Sequence, residues 1–283
     1  MKIGPYTLHE INAGRLSLDG GAMFGIVPKP LWERRIPADD RNRIPLATRC
    51  LLLEGDGRVV LIDNGVGDTY DEKFADIYAV DQSSEELHGS LAAAGFEAAD
   101  VTDVILTHLH FDHCGGSTTR DADGALRLAF PNATHWVQRA HWDWAHISPR
   151  EGASFLSENL GPIEASGQLR LVDGPGDVLP GIEALVVDGH TRGQQLLKVS
   201  DGERTLLYAA DLLPTAAHVP LLWVMAYDVA PLDTLAEKER VLEEAAREGW
   251  IVYFEHDTET ATARIEHGER GFQAVDRAPS LRA

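Results

Sequence analysis

Cysteine is scarce in this 283-residue sequence: Cys50 and Cys114 are the only two. Two thiols so widely separated make neither a disulfide framework nor a redox dithiol, and they fit a reducing compartment. Long apolar runs are also missing. The longest, 219–227, falls far short of the roughly 20 residues a membrane-spanning helix needs, and residues 1–14 lack the apolar centre of a signal peptide. Positive charge is in short supply, with 25 Lys and Arg against 45 Asp and Glu and a formal charge of −20. A field of that sign repels phosphate backbones, and no basic stripe offsets it, which argues against DNA or RNA as a partner. The expectation is a cytoplasmic protein with no membrane and no nucleic-acid partner.

Low-complexity linkers are absent as well, and 44% hydrophobic with 25% charged residues is an ordinary globular composition. The sequence reads as one domain over 1–283 with a loose tail at 278–283. Strands are expected near 50–53, 59–63, 104–107, 134–137, 184–187, 196–199, 205–209 and 251–255, with hairpin turns at 54–57 and 200–203. Helices are expected at 84–94, with a Ser83/Glu86 capping box, and at 234–247, with a Thr234/Glu237 box and Gly249 as the stop. The fold class is mixed α/β.

The densest chemical signal follows the strand at 104–107: His108-Leu109-His110-Phe111-Asp112-His113-Cys114. A solvated loop does not need three imidazoles and a carboxylate in six positions, whereas a metal site does. On a tightly turning segment His108 and His110 point one way and Asp112 and His113 another, so a single stretch serves up to two metals. Imidazole and carboxylate donors suit zinc, and also manganese, iron or cobalt. Three further signals sit at strand ends, where a sheet holds ligands rigidly: His190 in Gly189-His190-Thr191-Arg192-Gly193-Gln194, Asp211, and His256.

In that order these motifs resemble the metallo-β-lactamase superfamily, over residues 46–257. The resemblance implies an αββα sandwich, two mixed β-sheets flanked by helices, with a dinuclear site. One metal would be held by His108, His110 and His190, the other by Asp112, His113 and His256, with Asp211 and a hydroxide bridging them. Zn2+ is the first expectation for both, with Co, Mn or Fe as alternatives. His110 stands where a di-iron redox branch carries Glu, which favours hydrolysis.

Within the superfamily the sequence is similar to YtnP-like quorum-quenching N-acyl homoserine lactonases. The likeness lies in residues 107–113, in Asp19-Gly20-Gly21-Ala22-Met23-Phe24-Gly25 running on to Trp32, in Val137-Gln138-Arg139-Ala140, and in Phe254-Glu255-His256-Asp257. It implies lactone opening by attack of the bridging hydroxide, with Asp112 shuttling the proton. Methyl-parathion-hydrolase-like enzymes share much of the pattern, so phosphotriester or aryl-ester hydrolysis is the alternative, and a non-hydrolytic metal protein on the same scaffold is a further one. Some lactonases carry a Tyr three positions after the bridging Asp; here Pro214 stands there, and the carbonyl-orienting role is unassigned.

The segment 20–32 is too irregular for a core helix and too apolar for a solvated loop. It is expected to line an acyl pocket, through Met23 and Phe24, or to pack on the second subunit of a homodimer, with simple core packing as the alternative. His218 is a candidate substrate contact, with a hydrogen-bonded loop histidine as the alternative. The apolar stretch 221–227 reads first as a buried segment. His135, His141 and His146 read as structural or pocket-lining, His9, His88 and His267 as surface residues, and Cys114 as a small buried filler. Asp63 reads as an acceptor for a ligand histidine's second N–H.

Overall fold

The computed structural model describes residues 1–83 and 86–281. In chain order the elements are β1 (Lys2–Ile3), β2 (Tyr6–Asp19), α1 (Gly20–Phe24), α2 (Lys29–Trp32), β3 (Arg43–Gly55), β4 (Arg58–Ile62), α3 (Glu72–Tyr78), α4 (Leu87–Ala93) and β5 (Asp103–Ile105). There follow α5 (Phe111–Cys114), β6 (Thr118–Arg120), β7 (Leu126–Leu128), β8 (Thr134–Gln138), α6 (Arg139–Ala145), α7 (Ser157–Ala165) and β9 (Leu169–Val172). The remainder comprises β10 (Gly176–Leu179), β11 (Ile182–Val187), β12 (Gln194–Ser200), β13 (Thr205–Tyr208), α8 (Pro231–Glu248), β14 (Ile251–Tyr253), β15 (Thr262–Gly268) and β16 (Gly271–Ala278).

These elements form two compact units, one of residues 1–15 and 48–174, the other of 16–47 and 175–283, so the chain passes between them within β2 and β3. The first unit is built on a seven-stranded sheet, β1-β2-β3-β4-β5-β8-β9. β3 and β4 form the expected hairpin, with Gly55 opposite Arg58 and the turn residues Asp56 and Gly57 both at positive φ, 54° and 70°. Beyond it β4, β5, β8 and β9 run parallel. Leu52, Leu61, Val104, Leu106, Val137 and Leu91 belong to one buried cluster, which sets α4 over the sheet. Strands buried on both faces read as continuous apolar runs, which is why these were visible in the sequence.

The second unit holds another seven-stranded mixed sheet, β10 to β16 in sequence order, antiparallel except for the parallel pair β13–β14. The 18-residue helix α8 packs beside β15. Its buried residues, Thr234, Lys238, Val241, Leu242 and Ala245, fall at helical spacing on one stripe. Two mixed sheets with helices are the architecture the resemblance implied.

Local differences from the sequence reading have physical causes. The helix expected over 84–94 begins at Leu87, because Glu86 is itself the N-cap and accepts from the His88 and Gly89 amides. Ser83 bonds Asp81 instead of closing a box, and residues 84 and 85 lie outside the described residues. α8 starts at Pro231 with no side-chain cap, and the Glu237 carboxylate is engaged elsewhere. The segment 20–32 contains the two short helices α1 and α2, with Met23, Phe24 and Trp32 buried. Residues 221–227 form turns at 221–222 and 226–227 and not a buried segment: Leu222 is 67% exposed and only Met225 among them is buried. β2, β15 and β16 were not read from the sequence, since their apolar residues alternate irregularly with charged ones. Ala278, read as the start of the tail, ends β16, and 282–283 lie outside the described residues.

Candidate metal centre

In the first unit, β5 ends at Ile105 and the chain turns through Thr107 to Cys114, carrying every side chain of the first motif into a buried position. The turn is made possible by close backbone packing: a Cβ on Gly115 would overlap the Val66 carbonyl, and one on Gly116 the Asn64 carbonyl. Asp63, which follows β4, holds the segment from behind. Its carboxylate accepts from the Thr107 amide (2.7 Å), the Thr107 hydroxyl (2.6 Å) and His113 Nδ1 (3.1 Å). Asp63 itself sits at φ 53°, an unfavourable conformation for a residue with a side chain, placed where its geometry is used. The expected role of Asp63 is thus visible in its bonds.

Those bonds determine the tautomers. The Thr107 hydroxyl gives its proton to Asp63, so it accepts from His108 Nδ1–H (3.1 Å) and leaves a lone pair on His108 Nε2. His110 Nε2–H donates to Glu151 (3.0 Å), which leaves a lone pair on His110 Nδ1. The two lone-pair nitrogens face each other at 3.0 Å. With nothing between them that arrangement is repulsive, and it is how two ligands of one cation are disposed. His113, with Nδ1 on Asp63, turns Nε2 toward Asp112 Oδ1 at 4.0 Å, a second nitrogen and oxygen donor pair.

Two supporting residues lie outside the motif, and one of them, Glu151, escaped the sequence reading. Glu151 also accepts from Trp144 Nε1 (2.6 Å) and the Ser148 hydroxyl (2.7 Å), so it is buried as a fully bonded carboxylate. His141 Nε2, read as structural or pocket-lining, accepts from the Leu109 amide at 2.8 Å and so props the middle of the motif. Neither stands beside the motif in sequence. Cys114 is a buried filler as expected, and burial raises its thiol pKa, which keeps it unreactive.

The second unit supplies the later ligands. His190 Nδ1 donates to Asp228 (3.0 Å) and its Nε2 lies 3.2 Å from Asp211 Oδ2. His256 Nδ1 donates to the Ala47 carbonyl (2.7 Å) and its Nε2 lies 3.1 Å from Asp211 Oδ1. Each oxygen of Asp211 therefore meets one imidazole, the pattern of a carboxylate shared between two neighbours. Ala210, just before it, is held at φ 43°. Burial opposes the charged form of His190, but the Asp211 and Asp228 carboxylates outweigh it and raise its pKa to about 10. A cation entering here would displace that proton.

Helix α8 braces this set. Glu237 accepts from the Asp188 (2.7 Å) and Gly189 (3.0 Å) amides, fixing the turn that carries His190. A Cβ on Gly189 would overlap Thr234, which accounts for the glycine before the histidine. One position further on, Lys238 is fully buried and its three N–H groups are shared among four backbone carbonyls of 218–223. Asp228 carried no recognisable signal, Glu237 was read only as a helix cap, and Lys238 stood out only as a lysine on an apolar stripe.

Met23, Phe24 and His218 come together in the second unit, all three buried. His218 Nε2 donates to the Met23 carbonyl and Nδ1 accepts from Thr215, both at 2.8 Å, while the ring stacks on Phe24 at 4.7 Å. Burial lowers the His218 pKa to about 3, so this imidazole is neutral. The Pro214 carbonyl accepts from the His256 amide. His135 is buried on β8, and His88 and His267 are exposed, as read; His9 is half-buried against Phe96 and Glu54.

Donors of nitrogen and oxygen, buried and preset in tautomer, define a metallo-hydrolase centre. The chain belongs to the metallo-β-lactamase superfamily, whose model matches residues 43–256. An N-acyl homoserine lactonase from Bacillus sp. is 27% identical over 266 residues, covering 89% of this chain and 93% of its own. The structure of a probable metal-dependent hydrolase from Staphylococcus aureus, 30% identical, covers the whole of both chains with a TM-score of 0.89. That of AidC, a dizinc quorum-quenching lactonase, is 22% identical and aligns over 100% of this chain and 97% of its own with a TM-score of 0.80, a likeness of fold.

Proposed function

We propose that this protein is a metal-dependent lactonase that opens N-acyl homoserine lactones, with His108, His110 and His190 as ligands of one divalent ion, Asp112, His113 and His256 as ligands of a second, and Asp211 shared. The carrying observation is the His108–His110 lone-pair facing at 3.0 Å, enforced by Asp63 through Thr107 and by Glu151. Two divalent ions, Zn2+ being the best match to these donors, supply an acidified water and an electrophile for the lactone carbonyl. Names of relatives support the substrate class: the Bacillus sp. protein is an N-acyl homoserine lactonase.

The chain's own residues supply the rest. Asp112 takes the proton from the attacking water and passes it to the ring oxygen as the acyl carbon–oxygen bond breaks, so one water is consumed per ring opened. Asp63, Glu151 and Asp228 keep the second nitrogens of His113, His110 and His190 engaged, so the ligands do not reorient during turnover. Met23, Phe24 and His218 back the acyl pocket. Ile26, 91% exposed, and Leu222 form apolar surface that an acyl chain or the second subunit of a homodimer covers. Pro214, which has neither an N–H nor a hydroxyl to donate, is unsuited to orienting the substrate carbonyl. Both cysteines are free and buried, and among the described residues no helix is long and apolar enough to cross a membrane, which supports a cytoplasmic setting for one metallo-β-lactamase domain.

The test is proton release from a panel of N-acyl homoserine lactones of increasing chain length by zinc-loaded protein, with Asp112→Asn as the blank. Chain-dependent acidification lost in the variant is the expected result. No release above the blank, from protein shown to carry two equivalents of metal, overturns the lactone assignment and redirects the assay to phosphotriesters and aryl esters.

A further inference from the structure

The Lys238 ammonium is wholly buried, yet its four hydrogen-bond partners are all uncharged: the carbonyls of His218 (2.7 Å), Pro220 (3.1 Å), Leu221 (3.2 Å) and Trp223 (2.8 Å). Lysine is rarely fully buried, and burial presses this ammonium's pKa down to about 7 against the opposing charge of the Asp228 carboxylate, which is not among its hydrogen-bond partners. An apolar residue at this stripe position of α8 would take away the one ammonium that these four carbonyls of a short segment share, leaving the Pro220 carbonyl with the Trp223 amide and the buried His218 carbonyl without this donor. The segment thus wraps a cation that the chain carries on its own helix. What it holds in place is apolar: Trp223 meets Phe24 edge-on at 5.7 Å, His218 stacks on Phe24, the Ala226 amide donates to Ala22 (2.8 Å), and Leu222 projects outward.

We infer that Lys238 is a positioning residue for acyl-chain recognition, a built-in ammonium ligand around which residues 218–223 fold so that Trp223, packed against the buried Phe24, and the exposed Leu222 present one wall to the acyl chain. The inference rests on the lactonase reading for its substrate, but the cage is testable without it. Lys238→Ala removes the same atoms that n-propylammonium contains, so the cation can be returned from solution.

Hydrogen exchange of the holoenzyme, followed by mass spectrometry slightly below neutral pH, reads the amides of 218–229. In Lys238→Ala these are expected to exchange about tenfold faster and to regain protection with n-propylammonium but not with n-propanol. Lys238→Met, which fills the space of the stem without donors, is expected to exchange fast and to show no rescue. Wild-type protection in Lys238→Met, or equal effects of the amine and the alcohol on Lys238→Ala, overturns the cage. For the substrate role, Lys238→Met is expected to raise KM about tenfold for a long-chain lactone, to leave a short-chain one within about threefold, and to leave kcat nearly unchanged. A KM rise independent of chain length, with the exchange result standing, overturns acyl recognition alone. Absence of all lactone turnover in the unsubstituted protein overturns the reading of the reaction and with it the acyl role, while the exchange experiment still decides the cage.

Discussion

A neutral imidazole offers a lone pair to a cation through one nitrogen only while the other keeps its proton, and in His110 the proton is kept on Nε2 by the Glu151 carboxylate. An amide there presents a donor as readily as an acceptor. Glu151→Gln is therefore expected to weaken metal affinity by about 10- to 100-fold in competition with a chromophoric chelator, with the thermal midpoint of the apo-protein nearly unchanged. Unaltered affinity would remove Glu151 from the account of the centre. His135, buried on β8, makes a different prediction. Burial lowers its pKa to about 4 from 6.5, against a smaller opposing effect of the Ala133 backbone. Between those values the unfolded chain binds a proton that the folded one excludes, so stability is complete above about pH 6.5 and is lost as pH falls toward 4. The full loss is about 3 kcal/mol. His135→Leu should flatten that acid limb in a series of denaturant midpoints taken from pH 7 to pH 4, and an equally steep limb would contradict the assignment.

Elements show the same economy of means at larger scale. Helix α8 contributes three consecutive supports, Thr234 against Gly189, Glu237 to the His190 turn and Lys238 to 218–223, so two loops of the second unit are set by one helix. Its apolar stripe anchors it beside β15, and Gly249, at φ 68°, ends it. Glycine has two distinct uses in the first unit. At Gly57 the hairpin needs only a left-handed backbone with open space around it, whereas at Gly115 the backbone of Val66 occupies the place of a side chain. Gly57→Ala should therefore cost about 1 kcal/mol and Gly115→Ala about 3 kcal/mol, compared by urea midpoints at constant slope. Equal costs would mean that the approach of 65–67 to 115–116 is not tight.

For the whole molecule, a centre assembled from buried histidines and carboxylates is stable only when its lone pairs and negative charges have a partner. Metal removal should lower the thermal midpoint on the order of 10 °C, as expected for a ligand present at about 1,000 times its dissociation constant in a chain of this length. Scanning calorimetry before and after chelator dialysis measures it, with recovery on adding Zn2+; a midpoint indifferent to chelation would be incompatible with the proposed ligands. The charge of −20 acts in the same direction, because self-repulsion adds to the repulsion among unpaired acceptors. Monovalent salt should in consequence stabilise the apo-protein more than the metal-loaded form.

The sequence alone determined the fold class, the strands buried on both faces and the principal donor motif, because each is encoded over a short span: an apolar run, a hairpin with Asp56-Gly57, or His108 to His113. Asp63 was legible as well, as an acidic residue at a strand end near the motif. Glu151, Asp228, Glu237 and Lys238 were not legible in these roles, since each acts on a residue 15 to 49 positions away in the chain, through bonds that only folding brings about. The irregularly patterned strands β2, β15 and β16 were missed for a related reason, that their burial comes from neighbours and not from their own period. Tautomers, too, were decided only by tertiary structure. Which nitrogen of His108, His110 or His113 keeps its proton depends on the acceptor behind it, and Thr107, Glu151 and Asp63 take up those positions only in the folded chain.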